Sequence, residues 1–238
     1  MNLRFKRGET LDIEEKNYYS QLLDVKKHYD NIYSTLINTE SGNEYFRNIP
    51  DEFICRYLDY IPRGNVLEIG IGNGKNIDFL IQHDFSIEGV DISEVAINNL
   101  KHKYHNCTFI SSDIMEFNIK SNYYSLIICS MTLSYLDDIN KTILINRIKE
   151  GLINNGVVFI STLSPDDPVF SIDREGFTGK TLEYLKFNHT HTGKKDMINY
   201  FKDFETIQLN DAYLKEPSRL TGGYYGLMFY IGRKVEIG

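Results

Sequence analysis

Asn65 to Asn76 (NVLEIGIGNGKN) constrains this chain more than any other stretch. Val66, Leu67 and Ile69 form a short apolar run of the kind expected for a strand buried on both faces. Gly70, Gly72 and Gly74 follow at alternate positions, where missing side chains permit positive φ and let a ligand lie against bare backbone. Asn76 to His83 (NIDFLIQH) then shows helical spacing through Ile77, Leu80 and Ile81, with Asn76 or Asp78 near its start. Strand, glycine turn and helix in this order aim backbone N–H groups at a nucleotide-like ligand. The plainer alternative is a glycine-rich turn between a core strand and a helix.

Two fingerprints fail on spacing. The dinucleotide motif G-x-G-x-x-G needs a third glycine where Lys75 stands. The phosphate-cradling G-x-x-x-x-G-K-[ST] fails because Asn76 follows Lys75, and because Arg174 replaces the first glycine ahead of Gly179-Lys180-Thr181. What remains is E-x-G-x-G-x-G, entered by Glu68. On these residues the chain resembles the class I S-adenosylmethionine-dependent methyltransferases, whose glycine motif has this acidic-plus-three-glycine form.

The rest of the chain alternates as that resemblance requires. Strands are expected at Phe85–Val90, Cys107–Ser111, Tyr124–Ser130 and Gly156–Leu163, with helices from Ser93 to about Tyr104 and over Lys141–Ile153. Strands separated by helices imply a doubly wound α/β fold with a mostly parallel sheet. Phe204–Leu209 and Tyr224–Ile231 are two late strands without a helix between them, hence antiparallel neighbours; the resemblance implies a seven-stranded Rossmann-like sheet. Ahead of the sheet, Leu11–Asn38 lacks Gly and Pro and repeats apolar residues through Tyr18, Leu22, Val25, Tyr29, Ile32 and Leu36, as an amphipathic helix or two would. Pro50–Ile61 is a second helical stretch. The expected organisation is a helical cap over residues 1–50 and a methyltransferase domain over 51–238, with 164–200 a substrate-side insertion.

Ligands of open parallel sheets sit at the carboxyl ends of the strands, which directs attention to the residues following each one. Asp91 lies about twenty positions past the glycine loop, where a carboxylate can accept from both ribose hydroxyls; it could equally cap the helix that Ser93 starts. By the resemblance, Asp91 holds the ribose and Asp113 contacts adenine, with Ile92 and Ile114 against the base. Cys129, Ser130, Gly70 and Gly72 would lie near the methionine part, Asn73 and Gly74 would also bind the cofactor, and Glu68 would orient the loop or the amino group. Family members often cover the cofactor with an N-terminal helix carrying a tyrosine, so Tyr18, Tyr19 and Tyr29 are candidates, of which Tyr18 and Tyr29 are carried forward. In-line displacement needs positioning more than proton transfer, so no catalytic residue is assigned. His189, His191, Tyr135 and Tyr225 are the candidates if a base is used.

Composition narrows the function. Net charge is −7 and no basic run is long enough to track a phosphate backbone, which speaks against nucleic acid. The amine methyltransferases of DNA and RNA often carry [DNS]-P-P-[YFW] after the fourth strand, where this chain has CSMTLSY. Cys55, Cys107 and Cys129 are scattered, so neither a disulfide framework nor a metal site is expected, and free thiols fit the cytoplasm. No membrane segment is visible. The expectation is S-adenosylmethionine-dependent methyl transfer to an O, N or S atom of a small molecule, by a monomer or homodimer. The alternatives are a non-catalytic sensor or scaffold binding S-adenosylmethionine or S-adenosylhomocysteine, and an NAD-linked oxidoreductase.

Overall fold

The structure is a computed structural model, which describes residues 13–36, 39, 51–167, 189–215 and 224–236. Seven strands form one sheet: β1 (Asn65–Ile69), β2 (Ser86–Asp91), β3 (Thr108–Ser111), β4 (Tyr124–Ser130), β5 (Leu152–Leu163), β6 (Phe204–Lys215) and β7 (Tyr224–Lys234). Their order is β3-β2-β1-β4-β5-β7-β6. β1 to β5 pair in parallel, while β7 runs antiparallel to both β5 and β6. The helices are α1 (Ile13–Leu36), α2 (Glu52–Arg56), α3 (Ile77–Gln82), α4 (Glu94–Lys103), α5 (Asp138–Gly151) and α6 (Lys194–Tyr200), with 3₁₀ turns at Leu58–Tyr60 and Leu133–Tyr135. No helix among the described residues is long and apolar enough to cross a membrane.

The apolar runs of the central strands follow from burial on both faces. Leu126 and Ile128 of β4 point into one core with Val66, Ile77, Leu80, Ile97, Leu100 and Phe159. Ile127 and Cys129 point into the other, with Leu67, Ile69, Leu144, Ile145 and Ile148. Thus α3 and α4 cover one face of the sheet and α5 the other. Strand order reverses between β1 and β4, both neighbours of β1 being parallel to it, and the crevice above that reversal is where such sheets bind ligands.

Two differences from the sequence expectation stand out, besides β6 and β7 running on to Lys215 and Lys234. The helix expected to run to Ile153 stops at Gly151, and β5 begins at Leu152. Leu152, fully buried, pairs with Tyr124, and the next pair is Leu126 with Val157, so Ile153 to Gly156 loop out of register. Asn154-Asn155-Gly156 is therefore a bulge inside a strand, with Asn155 at φ 61°, rather than a helix terminator. The second difference is α6, which lies where periodicity is weak and leads directly into β6. Of the stretch Pro50–Ile61, the described residues 51–61 give the short α2 and a 3₁₀ turn. Asp137 caps α5 by accepting from the Asn140 N–H at 2.8 Å, and Ser93 caps α4.

Truncating a fully buried side chain at the centre of β4 tests this arrangement. Ile128→Ala should lower stability by about 2–5 kcal/mol, seen as a lower urea midpoint with an unchanged slope.

Candidate functional site

The glycine loop is tied to β2 as well as to its own strand. The N–H groups of Gly70 and Ile71 donate to the Val90 carbonyl at 2.8 and 3.1 Å, and the Gly72 N–H donates to Asp91 Oδ2 at 2.8 Å. Asp91 Oδ1 accepts from the Ser93 N–H at 2.8 Å. Burial pushes the Asp91 carboxyl above its ordinary range, against the pull of the Ser93 and Gly72 N–H groups. Each carboxylate oxygen keeps capacity for a further donor. Gly70 and Gly72 have φ of 69° and 55°. A Cβ on Gly70 would come within 2.0 Å of Thr132 Oγ1, and one on Gly72 within 2.5 Å of the Tyr33 hydroxyl. The loop has no room for side chains on its ligand side.

Beneath the loop lies a polar network. Glu68 is buried, and its Oε1 accepts from Asn76 Nδ2 at 2.8 Å, whereas Oε2 has no hydrogen-bond partner among the described residues. Asn76 also bonds Asp51, accepting from its N–H at 2.8 Å, and Lys75 pairs with the Asp51 carboxylate at 2.7 Å. Asn76 thus braces α2 to β1 instead of capping α3. Burial, only partly offset by Asn76, pushes the Glu68 carboxyl up to about 8.

Above the strand ends is a cavity of about 220 Å³. Its floor is Gly70 after β1, Val90 to Ile92 at the end of β2, Ser112 to Ile114 after β3, and Ser130 to Thr132 at the end of β4. Its roof is α1, through Tyr18, Gln21, Leu22, Val25, Tyr29 and Tyr33. The roof is bonded down at several points. The Tyr18 hydroxyl donates to Asp113 Oδ2 at 2.8 Å, while Oδ1 accepts from the Met115 N–H at 3.0 Å. Burial raises both the Tyr18 phenol and the Asp113 carboxyl above their usual ranges. Asp30 accepts from Ser93 Oγ at 2.6 Å and from the Val95 N–H at 3.3 Å, which docks α1 on the start of α4. Burial opposes ionisation of Asp30, but bonds from Lys26 and Ser93 outweigh it and hold the carboxyl below its ordinary range. The Tyr29 and Tyr135 hydroxyls lie 2.6 Å apart. On the floor, Arg147 pins the turn behind Asp113 through the carbonyls of Ile114, Met115 and Phe117. Met131 sits at φ 57°, strained for a side-chain-bearing residue, with its N–H donating to the Ser161 carbonyl at 2.8 Å.

Of the residues singled out from sequence, Tyr18, Tyr29, Gly70, Asp91, Ile92, Asp113, Ile114, Ser130 and Tyr135 meet at this cavity. Gly72 reaches it only through Asp91 and Tyr33, and Gly74 packs on Ile77 and Leu100. Neither these two nor Glu68, Asn73 and Cys129 line it. Cys129 is fully buried in the core, its thiol pushed up to about 12 by burial. His189 packs on Tyr135 with ring centroids 4.8 Å apart. His191 contributes its carbonyl to the buried Lys141 ammonium at 3.3 Å. Tyr225 belongs to β7, and its side chain falls outside the described residues. Sequence reasoning missed Gln21, Tyr33 and Thr132. Tyr33 carried a usable signal: one turn beyond Tyr29, it continues the face of Leu22, Val25 and Tyr29, whereas the stripe chosen from sequence veers to Ile32 and Leu36.

Glu68 makes a pH-dependent prediction. Its folded pKa lies above its unfolded value, so the native state holds a proton that the unfolded chain releases. Stability from this group is greatest at acid pH and falls as pH rises from about 4.5 to about 8. Glu68→Gln should remove that slope. The stability of the variant relative to wild type should then grow across this window and level off above it, as read by chemical denaturation at a series of pH values.

Comparisons with known proteins agree with this geometry. Residues 66–156 match the family model described as "Methyltransferase domain". No curated protein matches the chain. Among solved structures, one titled as a group of SAM-dependent methyltransferases from Methanosarcina mazei aligns at TM-score 0.61 and 15% identity, covering 79% of this chain and 99% of its own. A SAM-dependent methyltransferase from Anabaena variabilis aligns at TM-score 0.64 and 15% identity, over 90% of this chain and 94% of its own. The N-methyltransferase NodS from Bradyrhizobium japonicum aligns at TM-score 0.58 and 15% identity, over 83% and 99%. These identities speak to the fold, and the family match speaks to the glycine loop and the strand ends that follow it. Residues 66–156 therefore match a methyltransferase domain, and they sit in the fold that these SAM-dependent methyltransferases share.

Proposed function

We propose that the chain is a class I methyltransferase that uses S-adenosylmethionine as its methyl donor and transfers the methyl group to an oxygen, nitrogen or sulfur atom of a small molecule. The observation that carries this reading is the roof: α1 lies over the strand ends and lines the cavity of about 220 Å³ between them, a space suited to a small acceptor. The −7 net charge supports it, since a polyanion would be repelled. Residues 1–50 act as the cap and 51–238 as the transfer domain, with 164–200 on the acceptor side. The free cysteines suit the cytoplasm, and a monomer or homodimer would suffice.

The residues present fit the cofactor. Asp91, held by two N–H groups with its remaining lone pairs available, is suited to a ribose diol. Asp113 offers an acceptor for an exocyclic amino group, and Ile92 and Ile114 offer apolar faces for the base. Gly70 offers bare backbone for the methionine part, next to Ser130 at the end of β4, while Gly72 ties the loop to Asp91. The buried Cys129 serves this end through its strand, and Glu68 orients the loop through Asn76. When bound, the cofactor supplies an electrophilic methyl group on a sulfonium. The protein aligns the acceptor with it and excludes water, through a roof fastened by Tyr18 and Tyr29. Alignment alone can be worth about 7–11 kcal/mol. Where the acceptor must lose a proton, Tyr135 lines the cavity and His189 packs against it, and both stand nearer the site than His191.

Calorimetric titration should give binding of S-adenosylmethionine and S-adenosylhomocysteine and none of NADH. Asp91→Ala should weaken adenosyl binding by tenfold or more, about 1.5–3 kcal/mol for bonds to a charged group. Absence of adenosyl binding by a folded protein would sink this reading, whereas binding without turnover of any acceptor would favour a sensor. Hydrogen exchange across Tyr18–Tyr33 should slow on cofactor binding, and unchanged exchange would count against the cap.

A further inference from the structure

The cavity has two chemically different halves. Sheet order sets the ends of β3, β2, β1 and β4 side by side, so Asp113 and Asp91 mark one half while Gly70 and Thr132 mark the other. Over the second half stand three tyrosines. The Tyr29 ring stacks on Tyr33 with centroids 6.1 Å apart and meets Tyr135 edge-on at 6.0 Å, and all three line the cavity. They are held from two directions. α1 is fixed by Asp30 on Ser93 and Val95. The turn carrying Tyr135 is fixed by Thr190, whose N–H donates to the Ser134 carbonyl at 2.8 Å and whose hydroxyl donates to the Leu136 carbonyl at 2.6 Å. The result is a preorganised, electron-rich wall beside the bare part of the glycine loop.

We propose that Tyr29, Tyr33 and Tyr135 hold positive charge at the reacting centre, and that the acceptor is a neutral amine that takes up that charge. This rests on the methyl-transfer reading above. Aromatic faces attract cations, and only some acceptors keep the cation in place. With a neutral amine, the nitrogen lone pair forms the new N–C bond while the electrons of the breaking C–S bond return to sulfur. Charge passes from sulfur to nitrogen within the same enclosure, and a primary or secondary amine afterwards releases a proton to water. The wall then favours reactant, transition state and product alike. With a phenolate, thiolate or carboxylate, the two charges cancel as the bond forms. The same wall would then stabilise the ground state over the transition state and slow transfer.

Two measurements on the full chain test this. Wild type and the Tyr29→Phe, Tyr29→Leu, Tyr135→Phe and Tyr135→Leu variants are titrated with cationic S-adenosylmethionine and neutral S-adenosylhomocysteine. The leucine variants should lose roughly five- to tenfold of the preference for the cation while the phenylalanine variants keep it. An unchanged preference in the leucine variants overturns the wall. Because Tyr29 and Tyr135 lie on separate elements, either one carries the comparison if the other variant does not fold. A wild type that binds neither ligand fails the underlying reading instead. Release of S-adenosylhomocysteine is then followed with size-matched amines, phenols, thiols, thioethers and carboxylates. Turnover of amines is expected; turnover confined to the other classes, or absent throughout, overturns the acceptor assignment.

Discussion

The bond from the Gly72 N–H to the Asp91 carboxylate is the contact on which the rest of the site depends. It joins the turn after β1 to the end of β2 and fixes both the bare loop and the Asp91 carboxylate. It exists because β1 and β2 are parallel neighbours, so their carboxyl ends emerge together. It also needs Gly72 to sit at positive φ, where a side chain would strike Tyr33. The cost is a carboxylate taken out of water and held by backbone dipoles, a familiar device for presenting charge without a counter-ion.

Around that bond the structure adds a roof from outside the domain core. α1 touches the loops after β1, β2, β3 and β4 with different groups: Tyr33, Asp30, Tyr18 and, through Tyr135, Tyr29. Most of these contacts are hydrogen bonds between polar side chains rather than deep apolar burial. Such a helix can part from the sheet at modest cost. Glu68, Asn76, Asp51 and Lys75 do the opposite work below the loop, bracing it against α2 within the body of the protein.

Legibility from sequence tracked the range of the interactions. The strand ends were readable because β-branched runs, glycine spacing and the acids after each strand are local signals, and Tyr124–Ser130 is found with the expected bounds. The bulge at Ile153–Gly156 was not, because a buried Leu152 pairing with Tyr124 overrides the turn signal of two asparagines and a glycine. Nor was α6, whose single fully buried residue, Met197, leaves no periodic stripe. Among the site residues, Glu68 and Cys129 have the right addresses but point away from the cavity, since side chains alternate across a strand and register decides which face they meet.

The sequence alone determined the doubly wound sheet, the glycine loop and the places of Asp91 and Asp113 at the strand ends, because each depends on residues a few positions apart. Only the tertiary structure decided that α1 roofs the cavity, that Tyr33 rather than Ile32 continues its inner face, and that Tyr29 meets Tyr135. Those partners lie far apart in the chain, and their meeting depends on how a helix is docked across four strand ends, a geometry that no local spacing encodes.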